Sequence, residues 1–272
     1  MARTYSVLRA YSKLESSETI PDEVAIEHAL TISLNGAELV GIQCSPCQLR
    51  ELVVGFLFGE GILEDGVQLA DVVFNETMSR AAVTIDEGQL PLTSLAQARI
   101  QTLTSACGRA ITFASSLDRI SLPRLEMEEE PLINTELLAT KMRAFMQESR
   151  RQDTTGCLHR CALLEGEHLA FEAQDIGRHN AMDKVVGHLL VSGRLRRDSH
   201  VVLTTGRISS DFVQRAARAK VAVLASRAAP TSRAIDCAAS AGITLVGFLR
   251  GDKMNIYAHP QRIAVATEAV LS

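Results

Sequence analysis

The 272-residue chain contains no tryptophan, and aromatic residues make up only 4% of it. Its core must therefore rest on Leu, Val, Ile and Ala rather than on large rings. Cysteine is sparse as well. Six in the whole chain are too few for a disulfide scaffold, and in a reducing compartment such thiols are reactive, metal-binding or simply buried. No charge of one sign dominates, since 28 basic residues against 32 acidic ones leave a net charge of −4. That argues against an overall electrostatic grip on nucleic acid but leaves room for a local anion pocket. Long apolar runs are missing too. The longest, such as "ELVVGFLFGEGIL", fall short of a membrane span, and the N-terminal "MARTYSVLRAYSKLESSETIPDE" lacks the apolar segment of a secretory signal. The expectation is a cytoplasmic protein with neither a membrane nor a nucleic acid as partner.

What is present is the composition of an ordinary globular protein, 46% hydrophobic and 22% charged, long enough for one large domain or two smaller ones. Residues 1–23 are polar and read as loosely held. Residues 28–43 alternate on both sides of Asn35-Gly36, which predicts a hairpin. Ser45-Pro46 reads as the N-cap and first-turn proline of a helix through about Phe58, ended by Gly59 and Gly61. With strands expected near 71–75 and 81–86, residues 1–104 form a small α+β unit. An acidic, irregular surface connection follows at about 117–133. Asn134 then caps a helix whose Leu137, Leu138, Met142, Phe145 and Met146 share one stripe. Beyond residue 200, apolar strands at 201–206, 221–226 and 243–249 alternate with helices at 209–220 and 231–242. This is the pattern of βαβ units and a parallel sheet covered on both faces. Ligands of such sheets bind beyond the carboxyl ends of the strands, where this chain places Gly206-Arg207, Ser226-Arg227 and Arg250-Gly251-Asp252-Lys253.

Several constellations carry chemistry. "DIGRHNAMDKVVGHLL" (175–190) sets Asp175, Gly177, Arg178, His179 and Asn180 just before an amphipathic helix, where free backbone N–H groups favour an anion and Arg178 could hold it. A plain helix cap at Asn180 and a surface ion pair at Arg178 are the alternative. Arg207 and "FLRGDKMN" (248–255) add cations at strand ends, and the Asp252 carboxylate could accept from N1 and N2 of a guanine; solvated surface charge is the bland reading. Cys44, Cys47, Cys157 and Cys161 could bind zinc by count, but the second pair has the wrong tightness, so buried small hydrophobes read better, as does Cys237 on its helix. Cys107 differs. In "TSACGRAITFASSL" it precedes Gly108 and Arg109 at a segment that can start a helix, where a thiolate is favoured. On chemistry alone, a reactive thiol and a buried turn cysteine both stand.

Taken together, "LTISLNGAELVGIQCSPCQLRELVVGFLFGEGIL", "TSACG", "DIGRHNAMDK" and "APTSRAIDCAASAGITLVGFLRGDKMNIYAHPQRI" resemble the formate dehydrogenase accessory sulfurtransferase family, FdhD, in the family's order over about residues 25–263. The resemblance implies an α/β fold, cytidine-deaminase-like over residues 105–272, beside the smaller N-terminal α+β domain. It implies a sulfurtransferase that takes persulfide sulfur from a cysteine desulfurase and passes it to the molybdenum (or tungsten) cofactor of formate dehydrogenase. That cofactor, the bis(molybdopterin guanine dinucleotide) form, is bound as substrate, with GDP as its mimic and no metal held by the protein itself. Cys107 matches the persulfide cysteine and Arg109 stands ready to stabilise its thiolate. Phe248, Leu249, Arg250, Gly251, Asp252 and Lys253 match the cofactor-contacting stretch, and Arg178, His179 and Arg207 fall in motifs expected around the same pocket. The partners implied are the desulfurase, the apo-dehydrogenase and a second copy in a homodimer. One departure stands out: the family loop commonly reads Cys-Gly-x-Cys, and here the second position is Ala110. This removes a resolving cysteine but leaves a single-thiol relay intact. A cofactor-binding chaperone without sulfur chemistry is the alternative. Deamination is disfavoured, because the paired zinc motif such chemistry requires is absent.

Overall fold

The computed structural model describes residues 2–12, 16–63, 71–85, 101–103, 124–126, 130–195 and 199–265. The chain begins with two strands, β1 (Ala2–Tyr11) and β2 (Ser16–Ala25), paired antiparallel in a largely exposed ribbon. The polar start is therefore ordered by backbone pairing, which the sequence reading missed because neither strand has a buried face to impose alternation.

A five-stranded sheet follows, in the order β5 (Asp71–Phe74), β6 (Arg80–Thr84), β3 (His28–Leu34), β4 (Ala37–Cys44), β7 (Gln101–Leu103). The β3–β4 hairpin turns at Asn35 (φ 47°) and Gly36 (φ 84°), the left-handed pair that a two-residue turn demands. Helix α1 (Leu49–Gly59) is apolar on every side but one, so it is buried between neighbours. The expected cap at Ser45-Pro46 is not its start: the preceding residue is Gln48, in the left-handed region at φ 50°.

The second sheet has six strands in the order β10 (His168–Asp175), β9 (His159–Glu165), β11 (His200–Thr204), β12 (Val221–Ser226), β13 (Thr244–Arg250), β14 (Lys253–Ala258). β11, β12 and β13 run parallel, as their continuous apolar sequence requires. The flanking β9, β10 and β14 pair antiparallel, so the sheet is mixed rather than wholly parallel. Helix α2 (Thr135–Gln152), capped by Asn134 accepting from Leu137 N at 2.7 Å, covers one face with Leu138, Met142 and Phe145. Helices α3 (Arg178–Val191), α4 (Ser210–Arg218) and α5 (Ser232–Ala241) lie on the other. A short pair, β8 (Ile133–Asn134) with β15 (Ile263–Ala264), closes the α2 side.

α1 and α3 cross at backbone contact. A Cβ on Gly55 would lie 1.7 Å from Asp183 O, and one on Gly187 would lie 1.9 Å from Glu51 O. Only glycine permits that approach. The crossing joins the α1 side and the six-stranded sheet into one hydrophobic core, which runs from Leu30 to Ala258. The boundary expected at 104/105 lies where the description of the chain breaks off.

Candidate functional site

Because β10, β11, β12 and β13 point the same way, their carboxyl ends share one rim, joined there by the amino ends of the antiparallel β9 and β14. The rim is laced together: Ser226 Oγ donates to Gly206 O at 2.6 Å, Arg227 N to Thr204 O at 3.3 Å, and Arg250 Nε to Arg227 O at 3.1 Å. The cations expected at strand ends do stand side by side.

At the α2 end of this rim lies a cleft of about 260 Å³. Met142, Met146 and Leu249 give it an apolar floor, and Arg143, Arg150, Arg227 and Arg250 edge it. Unusual backbone geometry shapes the strand end beside it. Gly247 allows Pro230 Cδ within 2.8 Å of where a Cβ would be. Phe248 is then forced to φ 51° and sends its N–H to Ala228 O at 3.1 Å, out of the β13–β14 ladder. A bulky residue held at positive φ is strained, and such strain gathers at functional sites. The Phe248 ring ends half-exposed, with the Arg250 guanidinium 5.3 Å from its centroid. Gly251 (φ 60°) turns the chain, and Asp252 Oδ1 accepts from Arg143 at 2.5 Å. Lys253 opens β14 as an exposed side chain. Thus Leu249, Arg250 and Gly251 line the cleft as their sequence position suggested, while Asp252 is engaged by a helix arginine.

The other rim cluster sits where α3 begins. Gly206 packs against Arg178 Cβ at 3.1 Å and against His159 Nδ1 at 3.5 Å, measured from the position a side chain would take. His159 is held below its ordinary pKa, first by burial and then by the charges of Arg178 and Arg207, which places all three together. His179 bonds Ser209 Oγ at 3.1 Å and faces Phe212; burial, with Arg215 and Arg178, pushes its pKa well down. Both rings are therefore neutral near pH 7.

The alternative of a plain helix cap at Asn180 does not hold: α3 starts at Arg178 after Gly177, and Asn180 lies inside it, donating to Gln43 O and Asp175 Oδ1 at 2.9 Å each. Asp175 faces inward. It is fully buried, 2.7 Å from the Lys184 ammonium, and accepts from Ser45 N at 3.0 Å and Gly177 N at 2.8 Å. Ser45, read as a cap for α1, thus serves to fasten the Cys44–Cys47 turn to the rim, its Oγ accepting from Ile176 N.

The thiols divide by burial. Cys44 and Cys161 are buried, with pKa values pushed up to about 12 chiefly by burial, so they behave as hydrophobes. Cys237 is partly buried against the core. Cys157 is exposed, contrary to the expectation of a buried residue, and Cys47 is half-buried with Lys184 Nζ 3.5 Å from its sulfur. Cys107 and Arg109 lie outside the described residues. What is described is how the chain approaches them: β7 runs parallel to β4, with Leu103 opposite Ile42, toward the same end as the Cys44–Cys47 turn.

Sequence reasoning missed Arg143 and Arg150. They stand seven residues apart on α2 and so share a face beside the Met142–Met146 stripe. Only the placement of α2 across the rim gives that spacing a meaning.

A family model described as the FdhD/NarQ family matches residues 25–264. The chain belongs to the FdhD/NarQ family. The chain is 35% identical over 248 residues to the sulfur carrier protein FdhD of Geobacillus kaustophilus, covering 90% of this chain and 91% of that one. To the protein of the same name from Streptomyces avermitilis it is 38% identical over 264 residues, with 92% of each covered. The crystal structure of a protein described as a formate dehydrogenase accessory protein from Desulfotalea psychrophila superposes with a TM-score of 0.75. There the identity is 26%, covering 97% of this chain and 99% of that one. Among the described residues no helix is long and apolar enough to cross a membrane.

Proposed function

We propose that this FdhD/NarQ member is a sulfurtransferase that receives sulfane sulfur on Cys107 from a cysteine desulfurase. It passes that sulfur to the molybdenum bis(molybdopterin guanine dinucleotide) destined for formate dehydrogenase. The observation that carries the reading is the arginine-edged, apolar-floored cleft at the β12–β13 part of a rim whose β10 edge holds the Cys44–Cys47 turn. Guanidinium forks suit the phosphates of such a cofactor bidentately, and Met142, Met146 and Leu249 offer a flat apolar bed to its base. The mixed sheet with helices on both faces supports the cytidine-deaminase-like class expected for residues 105–272.

In this mechanism the Cys107 thiolate attacks the outer sulfur of the donor persulfide. A Cys107 S–S bond forms, the donor S–S bond breaks, and the donor cysteine leaves as thiolate. Arg109 favours the attacking anion. Arg250, Arg227 and the α2 arginines hold the acceptor by its phosphates, Arg178 and Arg207 extend the same positive rim, and neutral His159 and His179 add no competing charge. Transfer of the outer sulfur returns Cys107 to thiolate, which needs no second cysteine at position 110. The apo-dehydrogenase, the cytoplasm and a homodimeric state complete the proposal.

Incubation with a desulfurase and cysteine, followed by mass spectrometry of the protein, tests it: one sulfur should be gained on Cys107 and none in Cys107→Ala. Sulfur loading of Cys107→Ala together with restored formate dehydrogenase activity would overturn it. Ala110 favours one rival, a chaperone without sulfur chemistry, and that rival alone survives if Cys107→Ser still complements.

A further inference from the structure

The ribbon of β1 and β2 stands apart from the rest of the chain. None of its residues belongs to either hydrophobic cluster, and among the described residues its one side-chain hydrogen bond to the body is Thr154 donating to Glu23. Two strands with no covered face are marginal in water on their own. Their apolar side chains are nonetheless exposed: Tyr5, Tyr11, Val24 and above all Leu8, at 69% the most exposed large hydrophobic among the described residues. The two edges of the ribbon differ. Pro21 sits opposite Ser6 in an unbroken antiparallel register, so the N–H that proline lacks falls on the outer side of β2 and interrupts that edge. The same alternation turns the backbone N–H and C=O of Thr4, Ser6, Leu8 and Ala10 outward on β1, where no proline intervenes. One face of β1 reads Arg3, Tyr5, Val7, Arg9, Tyr11. Reversed, that order sets each arginine against a tyrosine and Val7 against itself. Tyr11 is already held in place, its hydroxyl donating to Glu18 Oε1 at 2.5 Å.

We propose that two copies of this chain pair β1 with β1 about a two-fold axis at Val7, forming one antiparallel sheet that runs through both subunits. The inference rests on the homodimeric state proposed above and names the surface that makes it. In this register Thr4 of one copy pairs with Ala10 of the other, and Ser6 with Leu8, so the outward groups exchange about eight hydrogen bonds across the axis. Arg3 then lies opposite Tyr11, Tyr5 opposite Arg9 and Val7 opposite Val7. All three fall in non-hydrogen-bonded pairs, whose side chains approach closest. A guanidinium against a tyrosine ring is favourable. On the other face the two Leu8 side chains meet diagonally and leave water. The contact is the same patch on both copies and closes on itself, as a two-fold dimer requires. The outer edges of the joined sheet are the two β2 strands, where Pro21 stops further addition.

Sedimentation equilibrium of the full-length protein tests this, with Tyr5→Arg, the double variant Tyr5→Arg/Arg9→Tyr, and Val7→Cys. The ribbon lies outside both clusters, and thermal unfolding confirms that each variant folds. Tyr5→Arg sets like charges opposite each other at two symmetry-related points and should raise the dimer dissociation constant roughly tenfold. Adding Arg9→Tyr puts an arginine opposite a tyrosine again and should recover most of that loss, which damage to the ribbon itself would not do. Residues opposite each other in a non-hydrogen-bonded pair lie within disulfide reach. Val7→Cys should therefore link two chains through position 7 on mild oxidation, as mapped by mass spectrometry, whereas Ser17→Cys on β2 should not. A wild-type dimer that Tyr5→Arg leaves unmoved, or that the double variant weakens as much as the single one, overturns the β1 pairing while the homodimer reading stands. So does a wild-type dimer in which Val7→Cys fails to link. A wild-type chain that stays monomeric at every concentration measured removes the homodimer reading and the pairing with it.

Discussion

The ion network beneath α3 and the arginine-edged cleft beside α2 use the same residue types in opposite ways. In the first, Arg215 is almost wholly buried and is shared by two carboxylates, Asp183 at 2.7 Å and Glu60 at 2.5 Å. It ties α4 to α3 and to the end of α1. In the second, Arg143, Arg150, Arg227 and Arg250 are exposed, and a single surface carboxylate, Asp252, pairs with Arg143 alone. A buried guanidinium must be satisfied within the fold, or the fold pays heavily in desolvation. An exposed one can wait for a ligand. The contrast separates residues that hold the protein together from those free to bind.

The largest effect should come from breaking the buried network. Arg215→Met strands two carboxylates in the core, and removing one partner of such a network typically costs about 3–5 kcal/mol. Urea unfolding should show that loss, while any GDP binding by the folded fraction stays near the wild-type level. Arg250→Ala should do the reverse. Losing a charged donor to phosphate weakens GDP binding roughly ten- to hundredfold, with the unfolding midpoint unmoved, and Arg150→Ala and Arg227→Ala should follow with smaller losses. If Arg250→Ala destabilises the fold as severely as Arg215→Met, the division between structural and ligand-facing arginines collapses.

The same division explains what could be read from sequence. Caps and turns written in neighbouring residues were legible: Asn35-Gly36 makes the hairpin, Asn134 accepts from Leu137 N, and Thr231 accepts from Ala234 N. Ser45 carries an equally good local signal and was misread as a cap, and Asn180, for which a cap was the alternative reading, is none either. Their partners lie 130 and 137 residues away, at Asp175 and Gln43, and tertiary hydrogen bonds outbid the local caps. In the cleft, Leu249 to Gly251 were visible because strand ends of an α/β sheet collect ligands. Arg143 and Arg150 were invisible, since helix periodicity cannot say which rim a helix crosses. Glu60, Asp183 and Arg215 gave no warning, because a charge on an amphipathic helix reads as a solvated one until its neighbours are known. Cys107 was singled out by local chemistry, but the persulfide role came from family resemblance.

The smallest effect is the buried network's share of the pH dependence of stability. Burial raises Asp183 to about 6 from 3.8, against the opposing pull of Arg215, and the nearby Glu60 charge adds to the rise. Glu60 is raised for the same first reason. One guanidinium divided between two buried carboxylates does not fully offset their desolvation. On these two carboxyls the folded chain therefore holds protons that the unfolded chain has released, so their contribution to stability falls as pH rises between about pH 4 and pH 6. His159, His179 and His188 oppose it in the same range, because burial lowers their pKa values and the unfolded chain holds protons that the folded one has lost. Asp153, lowered by hydrogen bonds from Thr155, Leu158 and Gly156 against its burial, titrates below this window. Urea midpoints measured across pH 4 to 7 should gain more with rising pH in Asp183→Asn than in the wild-type protein, because the opposing carboxyl is gone. An unchanged slope in Asp183→Asn would place the titrating group elsewhere, and the buried network would then carry its charges fully matched.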